Sequence, residues 1–434
     1  MAWTKQQENA INADGASIIV SAAAGSGKTA VLTERLVRLL ADPSSGVRAD
    51  RIIVVTFTND AAAELKNRLD SKLRTLISEK PSDTHLLKQQ VLLQNAVIST
   101  INSFCFELIR DNITDQGITS GFGILDESDN SVMKSRALEE LINYYSKYEY
   151  DKISYLYDKF CINNEKGLVE VLSRADSFLA SVAFRNEWLD KAVEEYEKPF
   201  EASVYFRTLL NSLYQKLQKA LSISEECCAM IPEIFPDISS SAAQKSLAQA
   251  EDDHSMIESI LRVIEDGRLP DESEASEVVF GDLVRIGKTE HNKALRELYK
   301  KKREKLKKLT SVALAGLGSV ESDHDESRRV TAILAQMLKK YAEILWEAKC
   351  EKNSISFDDG ERLALELLAD RDESGNIIQS ETAKKVSEHY DIIMIDEYQD
   401  SNNKQDMIFR LLSKNYSVSE DGGPLYGDNV FLVG

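Results

Sequence analysis

The residues from 18 to 41 have the types and spacing of a phosphate-binding loop. β-Branched apolar residues predict a buried strand at 18–21, and the spacing of leucines and valines predicts an amphipathic helix at 28–41. Small residues between them would let backbone N–H groups surround a phosphate at the start of the helix. The residues assigned to nucleotide binding here are Ala22, Ala23, Ala24, Gly25, Ser26, Gly27, Lys28 and Thr29. Lys28 is expected to reach the β- and γ-phosphates, and the Thr29 hydroxyl to bind Mg²⁺.

Two adjacent acids, Asp396 and Glu397, form a second group suited to chemistry. They stand at the end of 390–396, where four consecutive apolar residues predict another buried strand. Nucleotide hydrolysis requires one carboxylate to hold Mg²⁺ and another to activate water. We therefore predict that Asp396 binds Mg²⁺ and that Glu397 is the general base, with Lys28 as the other catalytic residue. A surface acidic turn is the alternative, and the upstream phosphate loop favours the catalytic interpretation.

Strand and helix signals alternate near the N-terminus of the chain. Short strands are predicted at 18–21, 52–56 and 97–100, with helices at 28–41, 60–78 and 101–112. This order predicts a parallel sheet covered by helices. Between about 120 and 370 the apolar residues follow the helical period, and strands return at 390–396 and 429–434. We therefore predict an α/β fold: a parallel sheet domain (1–117 and 353–434) interrupted by a large all-α insertion (118–352).

Composition limits the possible classes of function. The chain has 434 residues and a formal net charge of −19, which taken alone argues against nucleic-acid binding. A binding track needs only a local positive surface, however. There is no run of about 18 apolar residues that could span a membrane, and the N-terminus lacks the layout of a signal peptide. Five scattered cysteines without a Cys-x-x-Cys pair indicate reduced thiols and a cytoplasmic location.

One segment, 285–308, is strongly basic. It contains eleven Lys and Arg residues against three Glu, and its leucines have the spacing of an amphipathic helix. This pattern predicts a track that contacts the phosphates of duplex DNA, with Lys300, Lys301, Lys302 and Arg303 as the candidate contacts. A solvated helix face that binds nothing is an equally good interpretation of a charge run.

Several motifs together resemble superfamily 1 DNA helicases of the UvrD/Rep type. They are Gly27-Lys28-Thr29, Asp396-Glu397-Tyr398-Gln399-Asp400, the Thr-Phe-Thr-Asn block at 56–59, the Thr-Ile-Asn-Ser-Phe block at 100–104, and the Thr-Lys-Gln-Gln segment at 4–7. Within this superfamily, the segments 22–32, 122–127 and 356–368 resemble the AddA family, the helicase–nuclease subunits of bacterial AddAB complexes. The resemblance implies that the sheet domain is a RecA-like P-loop motor domain, and that Gln7 reads the adenine of ATP.

The resemblance also implies where single-stranded DNA binds. The residues that correspond to the DNA-contacting blocks of the family are Phe57, Thr58, Asn59, Thr100, Asn102, Ser103 and Phe104. An aromatic ring beside small hydroxyls suits sequence-independent stacking and phosphate contact. The alternatives are a core position for Phe57 and helix capping for the hydroxyls. Asn102 stands where the family has His, and Ala30 where UvrD/Rep proteins usually carry Arg.

The function implied by the resemblance is an ATP- and Mg²⁺-dependent DNA helicase subunit that processes double-strand breaks. Its expected partners are single- and double-stranded DNA and an AddB-like subunit. No association with a membrane is expected. The alternatives are a UvrD/Rep-type or RecB-type helicase and a nucleotide-gated DNA-binding protein without unwinding activity. Because the family's next motif begins at Val433-Gly434, we expect a second motor domain and a nuclease domain to follow. Without the arginines of that second domain, we expect this part to hydrolyse ATP only very slowly.

Overall fold

The computed structural model describes residues 3–13, 17–23, 25–112, 117–161, 166–285, 292–419 and 423–434. They divide into two compact units, of which the first comprises Met1–Trp188 with Met337–Gly434 and the second Leu189–Gln336. Among the described residues, no helix is both long and apolar enough to cross a lipid bilayer.

Short strands and longer helices alternate in the N-terminal part of the first unit. In chain order these elements are α1 (Lys5–Ile11), β1 (Ile18–Val20), α2 (Lys28–Ala41), β2 (Ile52–Thr56), α3 (Asn59–Glu79), α4 (Thr84–Leu92), β3 (Val97–Thr100), α5 (Ile101–Asn112), β4 (Gly123–Ile124), α6 (Glu127–Tyr148), α7 (Tyr150–Phe160), α8 (Gly167–Leu179) and the start of α9 (Arg185–Glu197).

The described part of the second unit is built from helices. After the end of α9 these are α10 (Val204–Ile234), α11 (Ser241–Glu265), α12 (Glu272–Glu277), α13 (Lys293–Leu314) and the start of α14 (Val320–Glu351). α10 packs against both α11 and α13.

The first unit resumes with the end of α14 and a second set of strands. These elements are β5 (Ser354–Ile355), α15 (Phe357–Leu368), β6 (Ala369–Arg371), β7 (Ile377–Gln379), α16 (Glu381–His389), β8 (Ile392–Ile395), α17 (Asn403–Leu412), β9 (Ser417–Val418), β10 (Pro424–Leu425) and β11 (Val430–Val433).

A parallel five-stranded sheet organises the first unit, with the strand order β1-β11-β8-β2-β3. The two strands from the C-terminal part of the chain, β11 and β8, therefore lie side by side between β1 and β2. β2 and β3, like helices α2 and α5, have the predicted bounds, while β1, β8 and β11 lie within their predicted segments. The prediction of a mixed α/β fold with a parallel sheet is confirmed.

The three central strands, β11, β8 and β2, are buried on both faces, which explains why they are almost continuously apolar. Ile53, Val55, Ile393 and Ile395 pack into a core with residues of α5, α15 and α17. Their neighbours in the same strands, including Ile52, Val54 and Met394, pack into a second core with residues of α2, α3 and α4. Alternate residues of each strand thus point to opposite faces.

In the second unit, a buried ion pair joins α13 to α11. Arg303 donates from Nε to Asp253 Oδ2 at 2.6 Å and from Nη2 to Asp253 Oδ1 at 3.1 Å. The two side chains are only 3% and 5% exposed. Arg303 Nη2 also donates to the carbonyl oxygen of Gly281 at 3.0 Å. Removing one partner from such a pair leaves the other as an uncompensated buried charge.

We expect Asp253→Ala to lower the free energy of unfolding by about 3–5 kcal/mol, because Arg303 would stay buried without its carboxylate. Glu258→Ala on the same helix is the matched control, since Glu258 pairs with Arg262 at 2.8 Å on the surface. Its expected cost is about 0–1 kcal/mol. Urea unfolding followed by circular dichroism measures both losses. Equal losses for the two variants would contradict the role given to the buried pair.

Candidate functional site

The carboxyl edge of the parallel sheet gathers the predicted nucleotide residues and the two predicted DNA loops. The phosphate loop follows β1, the acidic pair follows β8, and Phe57–Asn59 follow β2. The segment Thr100–Phe104 joins the end of β3 to α5. Helix α2 begins after the phosphate loop, α3 begins two residues after β2, and α5 begins directly after β3. Three helix N-termini therefore follow these strands, and their partial positive charge favours phosphate groups.

Two glycines shape the phosphate loop. Gly25 and Gly27 have φ angles of +76° and +85°, a conformation that favours glycine over other residues. Gly27 is the N-cap of α2, and no side chain caps this helix. The backbone N–H groups of its first turn are therefore suited to binding an anion. Ala24, another predicted loop residue, lies outside the described residues.

The start of the loop is tied to the last strand of the sheet. The N–H of Ala22 donates to the carbonyl oxygen of Gly434 at 2.9 Å, and the N–H of Gly434 donates to Val20 at 2.9 Å. Gln7 contacts the other end of the loop, where its Nε2 donates to the carbonyl oxygen of Ser26 at 3.0 Å. Gln7 also forms a capping box with Thr4 at the start of α1. Gln7 is thus held against the phosphate loop.

Thr29 and Asp396, the two predicted Mg²⁺ ligands, contact one another. The Thr29 hydroxyl donates to Asp396 Oδ2 at 2.9 Å. Burial raises the pKa of the Asp396 carboxyl, while the hydrogen bond from Thr29 acts in the opposite direction. Hydroxyl and carboxylate oxygens are ligands that Mg²⁺ prefers, and a phosphate loop beside them provides for the nucleotide. The donor set therefore fits a Mg²⁺–nucleotide complex.

Lys28 and Glu397, the two predicted catalytic residues, form an ion pair. Lys28 Nζ lies 3.2 Å from Glu397 Oε2. The same Glu397 oxygen accepts a hydrogen bond from Gln399 Nε2 at 2.7 Å. These two donors, Gln399 first and Lys28 second, lower the pKa of Glu397. Glu397 has a φ of +55°, in the left-handed region that is costly for a residue with a side chain.

Gln399 is a functional candidate that the sequence pattern alone does not single out. Its contact with Glu397 gives it a direct part in orienting that carboxylate. The sequence signal for it is its place in the Asp-Glu-Tyr-Gln-Asp motif, two residues after Glu397. Spacing does not reveal this contact, because the intervening turn decides which way the amide points.

The loop after β2 presents Phe57 to solvent. Phe57 is 38% exposed, so the alternative of a core position does not apply to it. The Thr58 hydroxyl accepts a hydrogen bond from the N–H of Ala61 at 3.2 Å and caps α3. Asn59, the first residue of α3, is exposed. An exposed aromatic ring and two small polar residues therefore lie together between β2 and the start of α3.

At the junction of β3 and α5, the hydroxyl groups are engaged within the protein. Thr100 Oγ1 accepts from the N–H of Ser103 at 3.2 Å and lies 2.9 Å from Ser103 Oγ. Asn102 has a buried Oδ1 atom without a hydrogen-bond partner among the described residues. The capping alternative thus describes Thr100 and Ser103 in this conformation, while Asn102 keeps an unsatisfied acceptor.

The prediction that Phe104 contacts DNA is wrong for this structure. Phe104 is 3% exposed and packs in the core beside Phe409, with ring centroids 6.1 Å apart. Phe104 points inward because it lies on the buried face of α5, together with Ile101 and Cys105. Its ring therefore supports the fold under the loop.

Three of the four predicted duplex contacts on α13, in the second unit, are engaged with acidic residues. Arg303 is buried against Asp253, so the prediction that it binds DNA is wrong. Lys302 pairs with Glu226, and Lys300 lies 4.0 Å from Glu304. The helix begins at Lys293, and residues 286–291 lie outside the described residues.

An outward row of lysines remains on α13. Lys301, Lys305 and Lys308 are exposed and have no salt-bridge partner within the described part of the chain. Their spacing of four and three residues places them on one face of the helix. We call these three residues the outer lysine row.

Comparison with known proteins gives a consistent set of relatives. A sequence model of the UvrD/REP helicase N-terminal domain matches residues 3–434. Over its whole length the chain is 32% identical to the A subunit of the ATP-dependent helicase/nuclease of Acetivibrio thermocellus. It is 30% identical to the proteins of the same name from Ruminiclostridium cellulolyticum and Bacillus pumilus. The chain covers 34%, 34% and 35% of these three proteins, or about a third of their length.

We expect Phe57→Ala to weaken binding of single-stranded DNA by about 1–3 kcal/mol, because one exposed stacking ring is removed. The free energy of unfolding should change little. Phe104→Ala is the contrasting variant, expected to lower the free energy of unfolding by about 3–5 kcal/mol, because it removes a core ring. Fluorescence anisotropy with a labelled oligonucleotide, together with urea unfolding, separates the two effects. Unchanged DNA affinity in a folded Phe57→Ala variant would reject the stacking role.

Proposed function

We propose that this chain, which belongs to the UvrD/REP helicase family, is the N-terminal ATP- and DNA-binding part of a DNA helicase–nuclease subunit. The supporting observation is a pair of contacts across the sheet edge. Thr29 meets Asp396 at 2.9 Å and Lys28 meets Glu397 at 3.2 Å, which brings the phosphate loop and the acidic pair together as ATP hydrolysis requires. The named relatives, which are helicase/nuclease subunits, agree with this function.

The proposed chemistry is attack of water on the γ-phosphorus of ATP. Backbone N–H groups of the loop and the first turn of α2 bind the phosphates, together with Lys28. Thr29 and Asp396 hold Mg²⁺, which when bound neutralises charge on the phosphates. Glu397 takes a proton from the attacking water as the bond to the ADP oxygen breaks. Gln399 keeps the Glu397 carboxylate aimed at the site.

The Lys28–Glu397 pair must open before hydrolysis can occur. Lys28 cannot bind the γ-phosphate and remain at 3.2 Å from Glu397 without repulsion between the phosphate and the carboxylate. Transfer of Lys28 to the phosphate removes one of the two donors that lower the pKa of Glu397. The Glu397 carboxylate then becomes a stronger base when it has to accept the proton of the attacking water.

The DNA-binding role is proposed for the loops at the same edge. Phe57 stacks on bases, and Thr58, Asn59 and Asn102 contact the backbone of a single strand. Thr100 and Ser103 position the start of α5 through their mutual hydrogen bonds. β2 lies directly beside β8. Single-stranded DNA bound at these positions therefore crosses the edge of the sheet next to the nucleotide site.

We assign residues 1–117 and 353–434 to a RecA-like motor domain and 118–352 to an inserted helical domain, although the segments 118–188 and 337–352 belong to the same compact unit as the sheet. The subunit works in the cytoplasm with an AddB-like partner on double-strand breaks, and its nuclease activity is not assigned to these residues. ATP-dependent unwinding of a blunt-ended duplex by the complete subunit, together with its partner, tests this function. ATP-dependent binding without unwinding would instead favour a nucleotide-gated DNA-binding protein.

In the complete subunit, we expect Glu397→Gln to lower DNA-stimulated ATP turnover by a factor of about 10²–10⁴, because the general base is removed. Nucleotide affinity should be kept or increased, since Lys28 loses its charged partner. Lys28→Ala should weaken nucleotide affinity itself. Turnover is measured by phosphate release and affinity by a fluorescent ATP analogue. Equal loss of nucleotide affinity in both variants would show that the roles of the two residues are wrongly divided.

We propose that the outer lysine row, not Lys302 or Arg303, contacts duplex DNA phosphates. Replacing Lys301, Lys305 and Lys308 with Gln should weaken duplex binding regardless of sequence. The slope of log affinity against log salt should fall by about 0.9 for each phosphate that is no longer neutralised. Lys301→Gln and Lys302→Gln form a matched pair, since each removes one charge but Lys302 already pairs with Glu226. Indistinguishable salt slopes for these two single variants would leave α13 as a solvated helix face.

A further inference from the structure

The turn that carries Glu397 is held in an unusual conformation. Glu397 has φ +55° and ψ 38° and precedes a short 3-10 turn, Tyr398–Asp400. The left-handed conformation is unfavourable for a residue with a side chain. Within the turn, the backbone bonds are those from Asp400 to Glu397 and from Ser401 to Tyr398, both at 3.0 Å. Such strained residues persist at functional sites where the surrounding structure holds them.

Asp406 on α17 holds this turn from the side. Its Oδ1 accepts a hydrogen bond from the Tyr398 hydroxyl at 2.6 Å, one residue after Glu397. The same oxygen accepts from the Tyr426 hydroxyl at 2.6 Å, and Oδ2 accepts from Arg410 Nε at 2.7 Å. Hydrogen bonds to a charged acceptor at such distances are among the stronger ones in proteins. Asp406 therefore connects the Glu397 turn, α17 and the segment before β11.

The helix that carries Asp406 is itself fixed. At its N-terminus, Lys404 forms a buried ion pair with Glu361 of α15 at 3.2 Å. Gln405 Nε2 donates to the same carboxylate at 2.6 Å. Both contacts lie within one helical turn of Asp406. They therefore fix the backbone that carries the Asp406 carboxylate, which accepts the hydrogen bond from Tyr398. Rigid support of this kind is what fixes the geometry of a catalytic group.

We infer that Asp406 is a positioning residue for ATP hydrolysis, which acts through Tyr398 to keep the Glu397 carboxylate in its working place. The inference rests on the proposed function, because it assigns Glu397 as the general base. Asp406 touches neither Lys28 nor the phosphate loop among its described hydrogen bonds. A purely structural role is the competing explanation, in which the cluster merely ties α17 to its neighbours.

Tyr398 and Tyr426 offer a matched comparison between these explanations. Each donates one hydroxyl to the same Asp406 oxygen at 2.6 Å, and only Tyr398 belongs to the Glu397 turn. Tyr398→Phe and Tyr426→Phe each remove one hydroxyl and leave Asp406 with one phenol and Arg410. A structural role predicts similar effects for the two variants, whereas a positioning role predicts a difference in catalysis.

The experiment measures kcat and KM for ATP with saturating single-stranded DNA, using the complete subunit with its partner. We expect Tyr398→Phe to lower kcat by about tenfold to a hundredfold, as a small misplacement of a catalytic group does, with KM unchanged. Tyr426→Phe should keep the kcat of the unaltered protein. Thermal unfolding should show comparable loss of Tm for both variants.

Equal changes in kcat for the two variants, or unchanged kcat for Tyr398→Phe, would overturn the inference. Glu397→Gln, measured alongside, separates this result from failure of the proposed function. If the unaltered protein turns over ATP, Glu397→Gln does not and Tyr398→Phe is fully active, only the inference about Asp406 fails. If Glu397→Gln retains full activity, the assignment of the general base fails, and the positioning role of Asp406 with it.

Discussion

β8 pairs with β2 along one edge and with β11 along the other, in parallel register. This pairing places Asp396 beside Thr29, although the two residues are 367 positions apart in the chain. The ion pair of Lys28 with Glu397, the hydrogen bonds between Ala22 and Gly434, and the proximity of the DNA loops all depend on the same register. A shift of β8 by one residue would point its side chains to the opposite faces and separate the acidic pair from the phosphate loop.

Local chemistry makes the sheet and the nucleotide site predictable. Continuous β-branched runs identify strands buried on both faces, and a small-residue loop before an amphipathic helix leaves few other interpretations. The side chains for which the prediction is wrong depend on distant partners. Phe104 turns inward because α5 packs on the sheet, and Arg303 finds Asp253 fifty residues earlier in the chain. Asp406 is not predictable for a related reason, since a single carboxylate has no sequence signal for its partners. The contact of Gln399 with Glu397 is not predictable from spacing, because the turn between them decides which way the amide points.

Formal charge is a poor measure of the positive surface in either unit. The chain carries a net charge of −19, and several lysines and arginines are engaged in ion pairs within the fold. A run of basic residues is therefore a poor measure of the surface available to a polyanion. Counting only the exposed cations without an acidic partner in the described part of the chain reduces the basic run on α13 to Lys293 and the outer lysine row. The helix N-termini at the sheet edge add positive potential that a count of formal charges does not include.

The interleaved strand order has a consequence for folding during synthesis. β1 does not neighbour β2; β11 and β8, made from the far end of the chain, lie between them. Roughly 290 residues separate β3 from β8, which at ribosomal speed corresponds to a delay of about 15–60 s. During this interval β2 and β3 have an unpaired apolar edge, the kind of surface that promotes aggregation. The entropic cost of closing the loop between β3 and β8 grows only with the logarithm of its length. The main obstacle to folding is therefore the time during which the apolar edge stays exposed, rather than the free energy of closing the loop. The ATP site consequently cannot form before β8 and β11 have been synthesised.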